Sequence, residues 1–271
     1  MKKITALIFL VLFVTFSCSR LDLAVNLANS YVTNKADDFF NLTGDQSRWL
    51  KESLSKDIMK VRKSIFPQLA TEMLRIANLL SNQKNFDSNI VMNSFDRLEG
   101  LYFDGLKIFS PTAVAFVDKL RPAQIEYFQK QADKKFSEMK EDPEKKSYNK
   151  IKKHFDSWMG GMSSAQKKEL KTFVKKFPPP IKEIVYNRQN LVQEFIKAYP
   201  DKEARKLFIE GIFIKYQDVM DPTYKKVIDE KNKRVEAYFA NVLNNMSDDQ
   251  KKTLIDTIRE RANQVMKISK N

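Results

Sequence analysis

Apolar residues recur along this chain at spacings of three and four. Leu191, Phe195 and Ala198 share one helical face, and Tyr238, Val242, Phe239 and Leu243 line another. That is the period of amphipathic helices. The β-branched alternation a strand needs is hard to find, and glycine is scarce, at six. The pattern predicts an all-α protein, with about ten amphipathic helices in an elongated multi-helix bundle of hairpins.

Helix starts can be placed from a short motif, apolar–(Ser/Thr)–x–x–Gln. It reads Leu42-Thr43-Gly44-Asp45-Gln46, Met162-Ser163-Ser164-Ala165-Gln166 and Met246-Ser247-Asp248-Asp249-Gln250. A variant, Leu120-Arg121-Pro122-Ala123-Gln124, puts proline where the first turn of a helix accepts it. A Ser or Thr at the N-cap accepts from the backbone of the third helical residue, and Gln there reaches back to the cap. Each such cap stabilises its helix by about 1 kcal/mol. The four motifs therefore predict helices beginning at residues 44, 122, 164 and 248. Each has an apolar residue four places after its glutamine: Leu50, Phe128, Leu170 and Leu254. The glutamines lie 78, 42 and 84 residues apart, near multiples of a helical hairpin of roughly 42, so diverged hairpin repeats are one reading.

Prolines and glycines set the remaining boundaries. Phe177-Pro178-Pro179-Pro180 breaks the chain, with Pro180 able to open the next helix. Asp142-Pro143 opens a lysine-rich helix ending near Trp158, where Gly160-Gly161 suits a C-cap. A helix over 203–219 precedes Asp221-Pro222, which starts another. Ser110-Pro111 interrupts an apolar stretch whose Phe103, Leu106, Phe109, Phe116 and Val117 should be core. The chain divides into a leader over 1–17, an N-terminal helical region over 18–177 and a C-terminal one over 178–271, the last two separate or one continuous domain.

The leader sets the expected location. Lys2 and Lys3 precede an apolar tract, Ile4 to Phe16, then Ser17 and the only cysteine, Cys18. A charged start, a short apolar core and a small residue before the break form an export signal. Its 13 residues span about 20 Å as a helix, short of the roughly 30 Å hydrocarbon layer. The tract is similar to a bacterial lipoprotein signal, although Thr15 and Phe16 stand where such signals carry leucine and a small residue. The resemblance implies a lipid on Cys18 and, with Ser19 next, an outer-membrane protein facing the periplasm.

Charge changes the picture further. The net charge is +14, and residues 130–182 hold 15 lysines against seven acids. Such a run is either a solvated face or one that attracts something acidic, such as an envelope polymer, an anionic lipid or an unfolded protein. Nucleic acid is not expected, because no arginine- and aromatic-rich reading motif is present.

Chemistry is thin. One histidine, His154, sits in a lysine-rich helix, and Cys18 is expected to carry lipid, so neither a His/Cys metal site nor a Cys–His pair is expected. No glycine-rich phosphate loop is present. Asp37 and Asp38 are adjacent, so on a helix they point apart, and Asp218 and Asp221 straddle a helix end. A carboxylate-based hydrolase is the remaining enzymatic alternative to a non-catalytic protein without metal or cofactor. Trp49 and Trp158 read as core or groove aromatics.

The order of segments resembles a family of helical proteobacterial lipoproteins with no assigned activity. The residues carrying the resemblance are Tyr31, Asp37-Asp38-Phe39-Phe40-Asn41-Leu42 with Gln46, then Arg62 five before Pro67 with Ala70. They continue with Trp158, Gly160, Met162, Ser163 and Gln166, and end at Met246 to Gln250. Where that family often has Trp-His before its arginine, this chain has Lys60 and Val61. The Leu-Thr-x-x-Gln motifs also resemble those of Spy/CpxP-type periplasmic chaperones. The resemblances imply a helical, lipid-anchored envelope protein that binds or scaffolds an acidic partner through residues 130–182, or holds unfolded clients.

Overall fold

The computed structural model of the chain describes residues 18–138 and 143–270. The leader over 1–17 and the Asp142 helix start lie outside the described residues. Among the described residues there are twelve α-helices and no strand. They are α1 Cys18–Phe40, α2 Gly44–Ser64, α3 Phe66–Asn82, α4 Ser88–Asp118, α5 Pro122–Ser137 and α6 Pro143–Met159. The rest are α7 Ser164–Lys176, α8 Ile181–Ala198, α9 Lys202–Ile214, α10 Tyr216–Val219, α11 Pro222–Asn244 and α12 Asp248–Ser269.

The motifs begin α2, α5, α7 and α12 at residues 44, 122, 164 and 248, as their capping chemistry requires. Thr43, Ser163 and Ser247 each accept from the backbone N–H of the glutamine three places on. Arg121 has no acceptor to offer, and Pro122 supplies the first turn instead. Asp221 caps α11 by accepting from Thr223 and Tyr224.

The helices fall into two like halves. α1 packs on α2 and α5 in the first half, and α6 packs on α7 and α12 in the second. The halves interlock, because α3 lies along α12, α8 contacts α5, and the long helices α4 and α11 touch. A hydrophobic core surrounds each pair of motif helices. One holds Leu50, Leu54, Phe116, Val117, Leu120 and Ile125, and the other Phe155, Met159, Met162, Leu170, Val174, Tyr238 and Val242. Leu50 and Leu170 occupy the same place, four residues after their glutamines. All core residues lie between Val25 and Ile268, so a chain beginning at residue 18 carries the entire described core.

Several expectations need correcting. Pro111 does not interrupt the chain; it sits inside α4. A proline within a helix costs about 3 kcal/mol, but here Phe109 before it and Phe116 and Val117 after it all pack into one core. Phe116 and Val117 are buried, whereas Phe103, Leu106 and Phe109 are half-buried. The helix expected over 203–219 breaks at Lys215, and α10 turns back so that Val219 packs over Gly211. A Cβ on Gly211 would lie 2.8 Å from the Val219 methyl, so only glycine leaves the space. Sequential hairpins are not the main organising contact either: the most extensive interface joins α3 to α12, from opposite ends of the chain. The proline run ends α7, and α8 beyond it brings Phe195 into the core of the first half.

Candidate binding cleft and basic face

The four motif glutamines meet in two pairs. The Gln46 Nε2 donates to Gln124 Oε1 at 3.0 Å, and the Gln124 Nε2 returns a bond to Gln46 Oε1 at 2.9 Å. Gln166 and Gln250 do the same, at 3.0 and 2.9 Å. Each amide also reaches the carbonyl five residues before its partner. Gln46 donates to Lys119 and Gln124 to Asn41; Gln166 donates to Asn245 and Gln250 to Gly161. Each Oε1 additionally accepts its own cap's backbone N–H. These amides thus have their donors and acceptors in use. The glutamines are clasps, with nothing left over for a ligand. Pairing 46 with 124 and 166 with 250 sets the repeat unit at 120 to 126 residues, not the hairpin of roughly 42.

The chain entering each first motif must turn sharply. Asn41 has φ 49° in the first half, and Gly160 and Gly161 have φ 76° and 131° in the second. Asparagine and glycine are the residues that tolerate this region. Asp37 holds the first turn by accepting from the Leu42 N–H at 2.7 Å. Asp38 makes an exposed ion pair with Lys35. The two carboxylates therefore do separate jobs and do not converge. Asp218 lies in α10 and Asp221 caps α11. No cluster of three or more His, Cys, Asp or Glu side chains placed to hold a metal occurs among the described residues.

The other motif residues are dispersed. Tyr31 is exposed on α1, and Arg62 ties α2 to α1 by donating to Asn26. Pro67 opens α3, while Ala70 is fully buried against α12. The Trp158 ring is half-buried, with the Arg261 guanidinium 4.0 Å from its centroid. His154 is half-buried nearby. Burial pushes its pKa below the ordinary value, and Lys150, Lys153 and Arg261 push in the same direction.

Two features have the character of a binding surface. The first is the lysine-rich run. Lys130, Lys134, Lys150, Lys153, Lys168, Lys171, Lys175 and Lys176 are all exposed on α5, α6 and α7. The second is an apolar cleft of about 460 Å³ between α1, α5 and α8. Phe39, Phe128, Ala132, Phe136, Leu191 and Val192 line it, with Lys135 and Arg188 the charged lining residues among those described. Phe128 fixes the floor: it stacks on Phe40 at 4.8 Å and meets Phe195 edge-on at 5.4 Å. Sequence reasoning missed this cleft. Its signal was present in Phe128, Ala132 and Phe136, spaced by four along α5, and in Arg188, Leu191 and Val192 on α8.

Residues 38–211 match DUF6279, described as a family of unknown function. The chain belongs to that family. No curated protein and no solved structure matches it. The DUF6279 segment takes in the first glutamine pair, Gln166 and every residue lining the cleft, while α12 lies beyond it. No described helix is long and apolar enough to cross a membrane.

Proposed function

We propose that this DUF6279 protein is a non-catalytic binding or scaffold protein of the bacterial envelope. In this reading a lipid on Cys18 tethers it to the outer membrane, and it holds an acidic partner against the lysine face of α5–α7. The observation that carries the proposal is the exposure of those lysines: along this surface the acids are too few to neutralise them. Such a field raises the local concentration of an anionic partner and speeds its capture. The motif residues support a structural role for the pattern, because the glutamines and Arg62 hold helices together and Asp37 closes a turn.

The test is binding of residues 18–271, with Cys18→Ala, to anionic and to zwitterionic vesicles at low and moderate salt. Selective binding to the anionic vesicles that weakens with salt is expected. The triple change Lys168→Glu, Lys171→Glu, Lys175→Glu should abolish it. Equal binding to both vesicle types, or binding untouched by the triple change, overturns the reading.

A second reading, a holdase for unfolded clients, is favoured by one observation. Leu23, Leu27 and Tyr31 expose an apolar stripe along α1, 55%, 52% and 65% accessible. Suppression of client aggregation at near-stoichiometric amounts would support it, and no suppression at several-fold excess would sink it.

A further inference from the structure

The first helix, α1, is apolar on two faces. Its inner face is covered in the ordinary way. Val25 packs against the core around Phe66 and Ala70, Ala36 and Phe40 pack into the first-half core, and Thr33 is buried. α2 holds that side as well, through Asn29 to Ser55 at 2.7 Å and Arg62 to Asn26. Leu23, Leu27 and Tyr31, spaced by four, fall on the other face, and each is more than half exposed. Among the described helices no other exposes three large apolar side chains on one face. From Leu23 to Asn34 α1 carries no Asp, Glu, Lys or Arg, in a chain that is 30% charged. Leu207 on α9 is the useful contrast. It is as exposed as Tyr31, but Glu203 and Glu210 stand one turn to either side, and a single exposed leucine needs no partner.

What precedes the stripe selects its occupant. The apolar tract Ile4 to Phe16 leads, through Ser17, to Cys18, the first residue of α1. With the chain tethered there, Leu23 and Tyr31 lie about 8 and 20 Å along the helix from the anchor point. A helix lying flat on the bilayer sets all three side chains at its surface. Apolar residues enter the acyl boundary there, and tyrosine, with an apolar ring and a wet hydroxyl, is favoured. Charged side chains in this stretch would oppose that placement, and there are none. A second copy of the chain is the poorer occupant. Three side chains fall far short of the roughly 800 Å² per partner that a stable dimer buries.

We infer that the Leu23–Leu27–Tyr31 face of α1 rests in the interface of the bilayer that anchors the chain, so that the molecule lies along the membrane by α1. The inference rests on the tether in the proposed function and is independent of the lysine face. The stripe acts only once the anchor is in place. Three partly exposed side chains do not hold an untethered chain, since even a myristoyl group gives only marginal binding.

The test supplies the tether, so that it reads the stripe alone. Residues 18–271 with Cys18→Ala carry a polyhistidine segment ahead of residue 18 and are captured on zwitterionic vesicles through a trace of nickel-chelating lipid. Bimane is attached through Leu27→Cys, Tyr31→Cys or Leu207→Cys, and its fluorescence is compared on vesicles with and without nitroxide-labelled acyl chains. Quenching at 27 and 31, and none at 207, is expected. Leu23→Ser with Leu27→Ser should remove the quenching at 31 while helical circular dichroism and Tm stay unchanged, because both leucines are exposed. Absence of quenching at 27 or 31, equal quenching at all three sites, or quenching that survives the double change would each overturn the inference. Absence at both would leave the stripe to an unfolded client. The natural tether is read separately, from the mass of the Cys18 peptide in chain recovered from bacterial membranes, so the two proposals fail separately.

Discussion

The two ends of the molecule start from the same clasp and finish differently. In both halves a glutamine pair joins two helix starts and a core packs around it. At the α3/α12 end small residues let the helices lie close, with Ala70, Ala77 and Ala262 showing no exposed surface. At the α5/α8 end the facing residues are Phe128, Phe136, Leu191 and Val192, half-buried around open space. The difference teaches that the repeated motif sets where helices begin and meet, while the residues one or two turns further on decide whether a site is left. A clasp is a structural device, and the variable cover is where binding can reside.

The clasps should give the largest effects. Removing one glutamine orphans the amide of its partner, and a buried unsatisfied group costs about 1–3 kcal/mol. Gln124 and Gln166 are the buried members of their pairs, so Gln46→Ala and Gln250→Ala, which orphan them, should each lower stability by that amount in urea unfolding. Double-mutant cycles sharpen the comparison. Gln46 should couple to Gln124 and Gln166 to Gln250, whereas Gln46 and Gln250 should be additive. Coupling across the halves would break the two-clasp description.

Next comes the contrast between covers. Ala262→Leu inserts volume into the closed end and should cost about 1–3 kcal/mol. Ala132→Leu grows into the open cleft and should change stability little. Equal losses would show that the cleft closes in solution.

The turns before the first motifs follow. Gly160→Ala places a Cβ at φ 76° and should cost about 1–2 kcal/mol, while Asn41→Gly should be close to neutral, since asparagine already tolerates its φ of 49°. The smallest effect belongs to His154, which has no counterpart in the first half. Its folded pKa lies below the ordinary 6.5, so the unfolded chain binds more protons just below that pH. Its contribution is fully present above 6.5 and declines as pH falls through the depressed folded value. His154→Gln should flatten this part of the stability–pH curve, measured by thermal unfolding between neutral and mildly acidic pH.

Much of the local structure was legible in the sequence, because caps and prolines act over a few residues. The helix starts at Gly44, Pro122, Ser164, Pro222 and Asp248 follow from side chains three places apart or from one ring. What was not legible depended on partners distant in the chain. Pro111 stays helical because the core on either side outweighs its cost, and no local pattern encodes that core. The pairing of Gln46 with Gln124 rather than any other glutamine is a contact across 78 residues. The cleft was hidden for the same reason: Phe128 and Phe136 are visible as a stripe, but only the position of α8 leaves that stripe open. Residue identity likewise said little about Asp37 and Asp38, whose jobs came from the turn that one closes and the lysine that the other meets.

Hydrogen exchange on residues 18–271 tests the contrast between the two ends most directly. The expected result is that α3 and α12 exchange slowest and that α5 and α8 exchange faster. Equal protection of the two ends, or slower exchange at α5 and α8 than at α3 and α12, would contradict it.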